Sequence, residues 1–406
     1  MKNIFMAVLA VSSLPDIVLA QDLPHQHTEL NEIVISASPL EESAAGVNQA
    51  VSVLSGEALH NAAAATIGET LQNEPGVTSS GFGPGVGKPV IRGQVGNRVK
   101  VMQDSVGTLD ASSASGDHVI TTEALVAKRI EVLRGPATLR YGNGAIGGVV
   151  NVIDNRIPDK LPEATTGAVE YRHNNANDQN STVMMLDGAV TETPLGNWAW
   201  HFDALYRDSN DTEIEGLAQR PEAGENPTDH KTTNGYIANT DTQANTVTGG
   251  VSWIGDEGFV GISISETENL YGIPPGGNDH DEESELVRID MEQTRLDLKA
   301  EWADVLPGFN LGRIRISHND YEHTELEGNE KGTRFTNEAI EARVELLHQE
   351  IAGWTGAVGL QLEDRQFAAI GDEAFIPKSD IQNTGVFWVG ETSRGDWSYE
   401  LGLRLD

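Results

Sequence analysis

SASGDHVITTEALVAKRIEVLRGPATLRYGNGAIGGVVNVI, residues 113–153, sets an Asp-His pair, Asp117 and His118, just ahead of a valine-rich segment punctuated by glycine. The tail GNGAIGG, residues 142–148, is not a phosphate loop: no Lys-Ser/Thr follows it, and VVNVI after it reads as a strand and not a helix. The glycines at 135, 142, 147 and 148 therefore read as structural, letting backbones cross closely in a crowded interior. The open question is whether Asp117-His118 is a metal ligand or a polar turn leading into a strand.

Around this stretch, residues 40–160 are rich in small residues and hold short valine and isoleucine runs separated by turns, as expected of a compact α+β domain. GEALHNAAAATIGETLQNEPGV predicts one helix over roughly residues 56–73, closed by Pro75-Gly76.

From about residue 165 the pattern changes. In NWAWHFDALYRD, Trp198, Trp200, Phe202, Ala204 and Tyr206 share one face, while His201, Asp203 and Arg207 take the other. TRLDLKAEW, EARVELL, VGLQLED and WSYELGLRL repeat this period of two. A soluble sandwich alternates as well, but here short turns such as GDEG and TSRGD alternate with long links at 208–245, 269–292 and 368–380. Short turns at one end and long loops at the other are what an outer-membrane barrel shows, with apolar residues facing lipid. Trp198, Trp253, Trp302 and Trp354 lie at strand ends, where an interfacial aromatic girdle would sit. About eleven strands precede residue 406, and a barrel that holds a whole domain needs about 22 strands. The expectation is therefore an α+β plug domain, 41–160, followed by roughly the first half of a transmembrane antiparallel β-barrel, 161–406.

Composition is consistent with this. The chain has 406 residues, a formal net charge of -35 and no cysteine, which excludes disulfides and thiolate metal sites. Residues 1–20 read as a signal peptide, with Lys2, an apolar stretch and Val18-Leu19-Ala20 before the cleavage point. Such acidity argues against a nucleic-acid partner and favours attraction of cations. Serine, histidine and carboxylates stand at no spacing that suggests catalysis.

PVIRG at 89–93, with Arg92 and Gly93, together with IEVLRGPATLRYGNGAIGGVVNVI at 130–153, with Arg134, Gly135, Pro136, Tyr141, Gly142, Gly147 and Gly148, resembles the plug of TonB-dependent outer-membrane receptors. LNEIVISAS at 30–38, within a periplasmic extension over 21–40, looks like the TonB box. Its extended run Glu32, Ile33, Val34, Ile35 and Ser36 suits addition to a partner's sheet edge. The resemblance implies an outer-membrane receptor, not an enzyme, with its barrel in outer-membrane lipid and energised by TonB with ExbB and ExbD.

The run from Ala114 to Pro136 is similar to the zinc-importing subfamily, whose plug apex carries an Asp-His pair, matched here by Asp117 and His118. Carboxylate and imidazole suit Zn²⁺ where no thiol is present. Zinc enters as cargo, and no cofactor is implied. GDEAFIP, in the link 368–380, also resembles that subfamily and makes Glu373 and then Asp372 candidate partners. NDHDEESE at 278–285 sets Asp279, His280 and Asp281 among five carboxylates; with one histidine it departs from the histidine-rich capture loop of zinc receptors and reads first as an acidic solvated loop. His318 and His323, five apart, face opposite sides of a strand, and His323, with Glu322 and Glu325 nearby, is a candidate transient ligand. A receptor for a ferric siderophore, haem or copper, or a binding barrel without transport, remains open from the residues.

Overall fold

The computed structural model describes residues 50–142, 144–219, 232–275, 286–328, 330–371, 374 and 376–406. All of these belong to one compact unit, Val34–Asp406. The signal peptide, the TonB box, Asp279, His280, Asp281, Asp372 and Glu373 lie outside the described residues.

The first domain is built from β1 (Ala50–Ser55), α1 (Gly56–Ala62), α2 (Ile67–Leu71), β2 (Val77–Ser79), β3 (Pro89–Ile91), β4 (Val99–Gln103), β5 (Val106–Gly107), β6 (Arg129–Arg134) and β7 (Gly148–Ile153). Five of these strands form one sheet in the order β1-β6-β7-β4-β5, with β4 and β7 parallel and the other neighbours antiparallel. The segment after GNGAIGG is thus a strand. Leu54, Leu59, Ile67, Leu71, Ile130, Val132, Val150 and Val152 form its core with the two helices.

The expected single helix over 56–73 is two short ones. Ala63 turns extended with ψ 120°, and the Thr66 side chain accepts from Glu69 N at 3.4 Å to start α2. Thr70 Oγ1 in turn accepts from Ala64 N at 3.1 Å. Threonine hydroxyls satisfy backbone donors locally, so they compete with continuous helix and win where an alanine run supplies no side-chain partners. The glycine reading holds at Gly147, where a Cβ would lie 2.6 Å from Gln94 Cβ and 2.8 Å from Arg98 O.

The second region is β8 (Thr166–Asn174), β9 (Gln179–Thr193), β10 (Gly196–Ser209), β11 (Thr212–Leu217), β12 (Asn234–Ile237), β13 (Thr242–Ile254), β14 (Gly258–Gly272), β15 (Val287–Leu306), β16 (Phe309–Glu327), β17 (Glu330–Ile351), β18 (Trp354–Ile370), β19 (Ser379–Arg394) and β20 (Trp397–Leu405). Eleven of them form one sheet in which β10 pairs with β13 and every other neighbour is consecutive. β11 and β12 form a separate hairpin inside the link between β10 and β13, which sequence reading took as a plain loop.

The burial pattern is inverted relative to a soluble sheet. Along β14, Ile262 and Ile264 are exposed while Ser263 and Ser265 are buried; along β10, His201, Asp203 and Arg207 are buried and Tyr206 is exposed. Leu296, Ile314, Ile340 and Leu362 continue the exposed apolar face. Water would penalise such an arrangement and hydrocarbon would favour it, which is the physics of a transmembrane barrel wall. At the short-turn end the Trp253 and Trp302 rings stack with centroids 5.7 Å apart, and Trp198 pairs in register with Trp253.

The polar face of the sheet grips the first domain. Arg295 Nη1 donates to Gly107 O and Thr108 O at 2.9 and 3.1 Å, and Gln293 Nε2 to Thr108 O at 3.3 Å. Asn319 Nδ2 and Asn337 Nδ2 both donate to Leu109 O, at 2.7 and 2.6 Å, and Arg365 Nη2 to Asp110 O at 3.1 Å. These donors fix residues 107–110, where Leu109 adopts φ 55°. The loop that follows carries Asp117 and His118.

Candidate metal centre

The loop is closed by Asp110, whose carboxylate accepts from Ser112 N and Oγ on one side and from Thr121 N and Oγ1 on the other. Lys88 Nζ donates to Ser112 O and to Ser115 O, and its side chain is buried. Burial lowers the Lys88 ammonium to about 8, against the charges of Asp110 and Asp117, which raise it. Asp110 and Lys88 thus tie this loop at Ser112, Ser115 and Thr121, on both sides of His118.

His118 has no exposed surface. Its Nδ1 lies 3.1 Å from Ala111 O, and since a carbonyl only accepts, Nδ1 carries the proton and donates. In the neutral ring Nε2 then presents its lone pair, and that atom faces Glu325 Oε1 at 3.4 Å. Two acceptors facing each other call for a proton or a cation between them. Across the ring, His323 stands edge-on with centroids 4.3 Å apart. Tyr321 Oη contacts His323 Nδ1 at 2.9 Å, while buried His323 Nε2 has no hydrogen-bond partner among the described residues.

One ligand atom from each of His118, His323 and Glu325 lies within 4.8 Å of the others. Two ligands at about 2.0–2.1 Å from a tetrahedral ion are separated by roughly 3.3 Å, close to the 3.4 Å between His118 Nε2 and Glu325 Oε1. Asp117 Oδ1 is 4.0 Å from His118 Nε2 and is held by the Ser115 hydroxyl. Asp117 therefore flanks the centre as a partly exposed carboxylate on its rim.

The walls are dry. Phe335 stacks on His323 at 4.6 Å, and Val86, Val119, Ile289, Met291 and Tyr321 surround the site as one buried cluster. The cross-strand register explains the convergence: Met291 faces His323, His323 faces Phe335, and Ile289 faces Glu325. His323 and Glu325 are two apart, so both point to the polar side, whereas Glu322 points away and pairs with Arg334.

Sequence reading named Asp117 and His118; the structure brings His118 together with His323 and Glu325 and leaves Asp117 beside that cluster. His323, taken as a transient ligand at the outer end of its strand, is instead fully buried beside His118, because its strand position projects it onto the plug. Glu325 was passed over as a ligand; the two-residue spacing from His323 was the available signal. His318 lies on the opposite face from His323, as its spacing implied, and is not part of the centre.

Comparison with known proteins agrees with this architecture. Residues 43–149 match the family described as TonB-dependent Receptor Plug Domain. The chain is 24% identical over 413 residues to the vitamin B12 transporter BtuB of Photobacterium profundum, covering 100% of this chain and 61% of that one. A hemin receptor of Yersinia pestis is 35% identical over 121 residues, 29% of this chain and 17% of the receptor. Among solved structures, the copper transporter OprC superposes with a TM-score of 0.67 at 14% identity, covering 87% of this chain and 54% of that chain. That likeness is one of fold: a plug followed by a barrel. The chain spans less than two thirds of the length of these relatives, 61% and 17% for the first two and 54% for the third.

Proposed function

We propose that this chain, which carries a TonB-dependent receptor plug at residues 43–149, is part of an outer-membrane receptor that imports Zn²⁺ into the periplasm. The observation that carries the reading is the convergence of His118, His323 and Glu325 in a buried, aromatic-walled centre with an imidazole nitrogen that has no hydrogen-bond partner among the described residues. Two imidazoles and a carboxylate favour Zn²⁺ and its late first-row neighbours over Ca²⁺ and Mg²⁺, which take oxygen ligands.

In this mechanism the net charge of -35 draws cations toward the outer vestibule, Asp117 receives the ion at the rim, and the imidazoles take it inward. Two ligand groups belong to the barrel wall and one to the plug. TonB, acting with ExbB and ExbD on Glu32–Ser36, pulls the plug and separates His118 from His323 and Glu325, so release needs movement and no bond chemistry. Glu373 and Asp372 remain proposed outer partners.

The test is uptake of radioactive zinc by zinc-starved cells, comparing wild type with the Asp117→Ala/His118→Ala double variant and with deletion of residues 30–36 at equal surface expression. Loss in both supports the reading. Retained uptake in the double variant returns the pair to a polar turn, and retained uptake in the deletion removes the energy coupling.

A second reading is copper. Met291, fully buried, is the register partner of His323, and a thioether beside two imidazoles suits Cu⁺. Competition separates the two: zinc uptake blocked by cobalt but not by Cu⁺ favours zinc, and the reverse favours copper.

A further inference from the structure

Tyr271, at the outer end of β14, is contributed by the barrel wall and has no exposed surface. Its hydroxyl accepts from Val119 N at 3.0 Å and donates to Asp117 O at 3.1 Å. These two backbone groups flank His118 in the chain. No other barrel side chain among the described residues hydrogen-bonds both of these groups.

We propose that Tyr271 is a positioning residue for the metal centre: its phenol fixes the aim of His118 Nε2 toward His323 and Glu325. The argument rests on the zinc reading and on geometry. His118 hangs from a loop, and its ring is oriented at Nδ1 by Ala111 O, which belongs to the same loop. That internal bond sets the ring relative to the loop and says nothing about where the loop stands relative to the barrel. His323 and Glu325 are on β16, two strands from β14, in one hydrogen-bonded sheet. Tyr271 faces Ile289, which faces Glu325, so the phenol and the carboxylate share one cross-strand row. By holding the peptides on both sides of His118 from that row, the phenol converts the sheet's register into a fixed His118–Glu325 separation.

A phenol donates and accepts from one atom, so it holds a carbonyl and an N–H together at one point, and on a rigid ring it does so with little conformational freedom. The plug accommodates the ring by glycine at 85, where a Cβ would lie 2.8 Å from Tyr271 Cβ. Outer-shell groups of this kind orient metal ligands, and losing one costs about 10- to 100-fold in metal affinity.

The experiment uses the full-length protein in detergent, with Zn²⁺ affinity measured by calorimetry and Co²⁺ bound as a spectroscopic reporter of ligand geometry. Tyr271→Phe keeps the ring and removes both bonds; the expected result is a Kd raised about 10- to 100-fold with an altered Co²⁺ absorption spectrum. Gly85→Ala keeps the hydroxyl and displaces the ring, and is expected to change the spectrum in the same direction. Because a buried hydroxyl is removed, the melting temperature of the metal-free variant is measured alongside; if Tyr271→Phe does not fold, Gly85→Ala decides alone. Wild-type Kd and spectrum in the folded variants overturn the positioning role while leaving the zinc reading intact. Wild-type protein that binds neither ion overturns the zinc reading and this inference with it.

Discussion

His323→Phe separates packing from ligation at the candidate metal centre. His323 stacks on Phe335 at 4.6 Å with an interplanar angle of 15° and meets His118 edge-on at 4.3 Å. A phenyl ring keeps both contacts, each aromatic pair contributing about 0.5–1.5 kcal/mol. The variant leaves the Tyr321 hydroxyl without its partner, a cost of about 1 kcal/mol. It also removes buried Nε2, which has no hydrogen-bond partner among the described residues, and that offsets the loss. The metal-free protein should therefore keep its stability to within about 1 kcal/mol. Ligation behaves differently. Structural zinc sites gain about 10–16 kcal/mol from about four ligands, so one nitrogen contributes about 3–4 kcal/mol, or a factor of about 10²–10³ in Kd. At a free zinc concentration about 1,000 times the wild-type Kd, wild type gains about 4 kcal/mol of stability, and a variant that binds 1,000-fold more weakly gains about 0.4 kcal/mol. Thermal unfolding in detergent with chelator and with zinc reads both quantities. The reasoning fails if the variant shows a zinc-dependent shift equal to that of wild type, or if the metal-free variant is destabilised as much as His323→Ala, whose lost ring leaves a cavity.

Glu325→Gln keeps the shape of the side chain and removes its charge 3.4 Å from His118 Nε2; zinc affinity should fall about 10- to 100-fold, measured by calorimetry, with little change in the melting temperature of the metal-free protein. Asp117→Asn should weaken zinc binding less than His118→Ala, because its oxygen stands 4.0 Å from His118 Nε2 at the rim and is engaged by Ser115; equal losses would place both in the inner set. Burial holds Lys88 near 8 in the folded protein against the ordinary 10.5, so the unfolded chain binds more protons between those values. The cost of the buried charge is full below pH 8 and is relieved as pH rises toward 10.5. Wild type should therefore gain stability relative to Lys88→Met across pH 8–10, by at most about 1.4 kcal/mol per pH unit; a difference in melting temperature that does not change with pH would count against it.

Much of the fold is legible in the residues themselves. A period of two in NWAWHFDALYRD, with charge on one face and short turns alternating with long links, points to a wall with water on one side and an apolar phase on the other, and the burial of His201, Asp203 and Arg207 bears that out. Turn residues are local signals as well, so the strand count of about eleven agrees with the 11-stranded sheet. The helix over 56–73 was misread because the Thr66 and Thr70 hydroxyls take backbone donors beside the alanine run, a local competition that the helical pattern does not display.

The sequence by itself singled out one part of the candidate site. Asp117 and His118 are adjacent, and the stretch around them is distinctive, so a linear pattern sufficed. Glu325 and His323 lie more than 200 residues further along the chain, and although the sequence offered His323 as a transient ligand, nothing local set it or Glu325 beside His118. Only the tertiary structure decided that they meet His118. The register of β14, β15 and β16 carries them to the same height as the loop, and the donors of the barrel wall hold that loop against them. Register is a property of paired strands, set by hydrogen bonds between residues far apart in sequence, and a strand's own pattern fixes which face a side chain takes but not what stands opposite it.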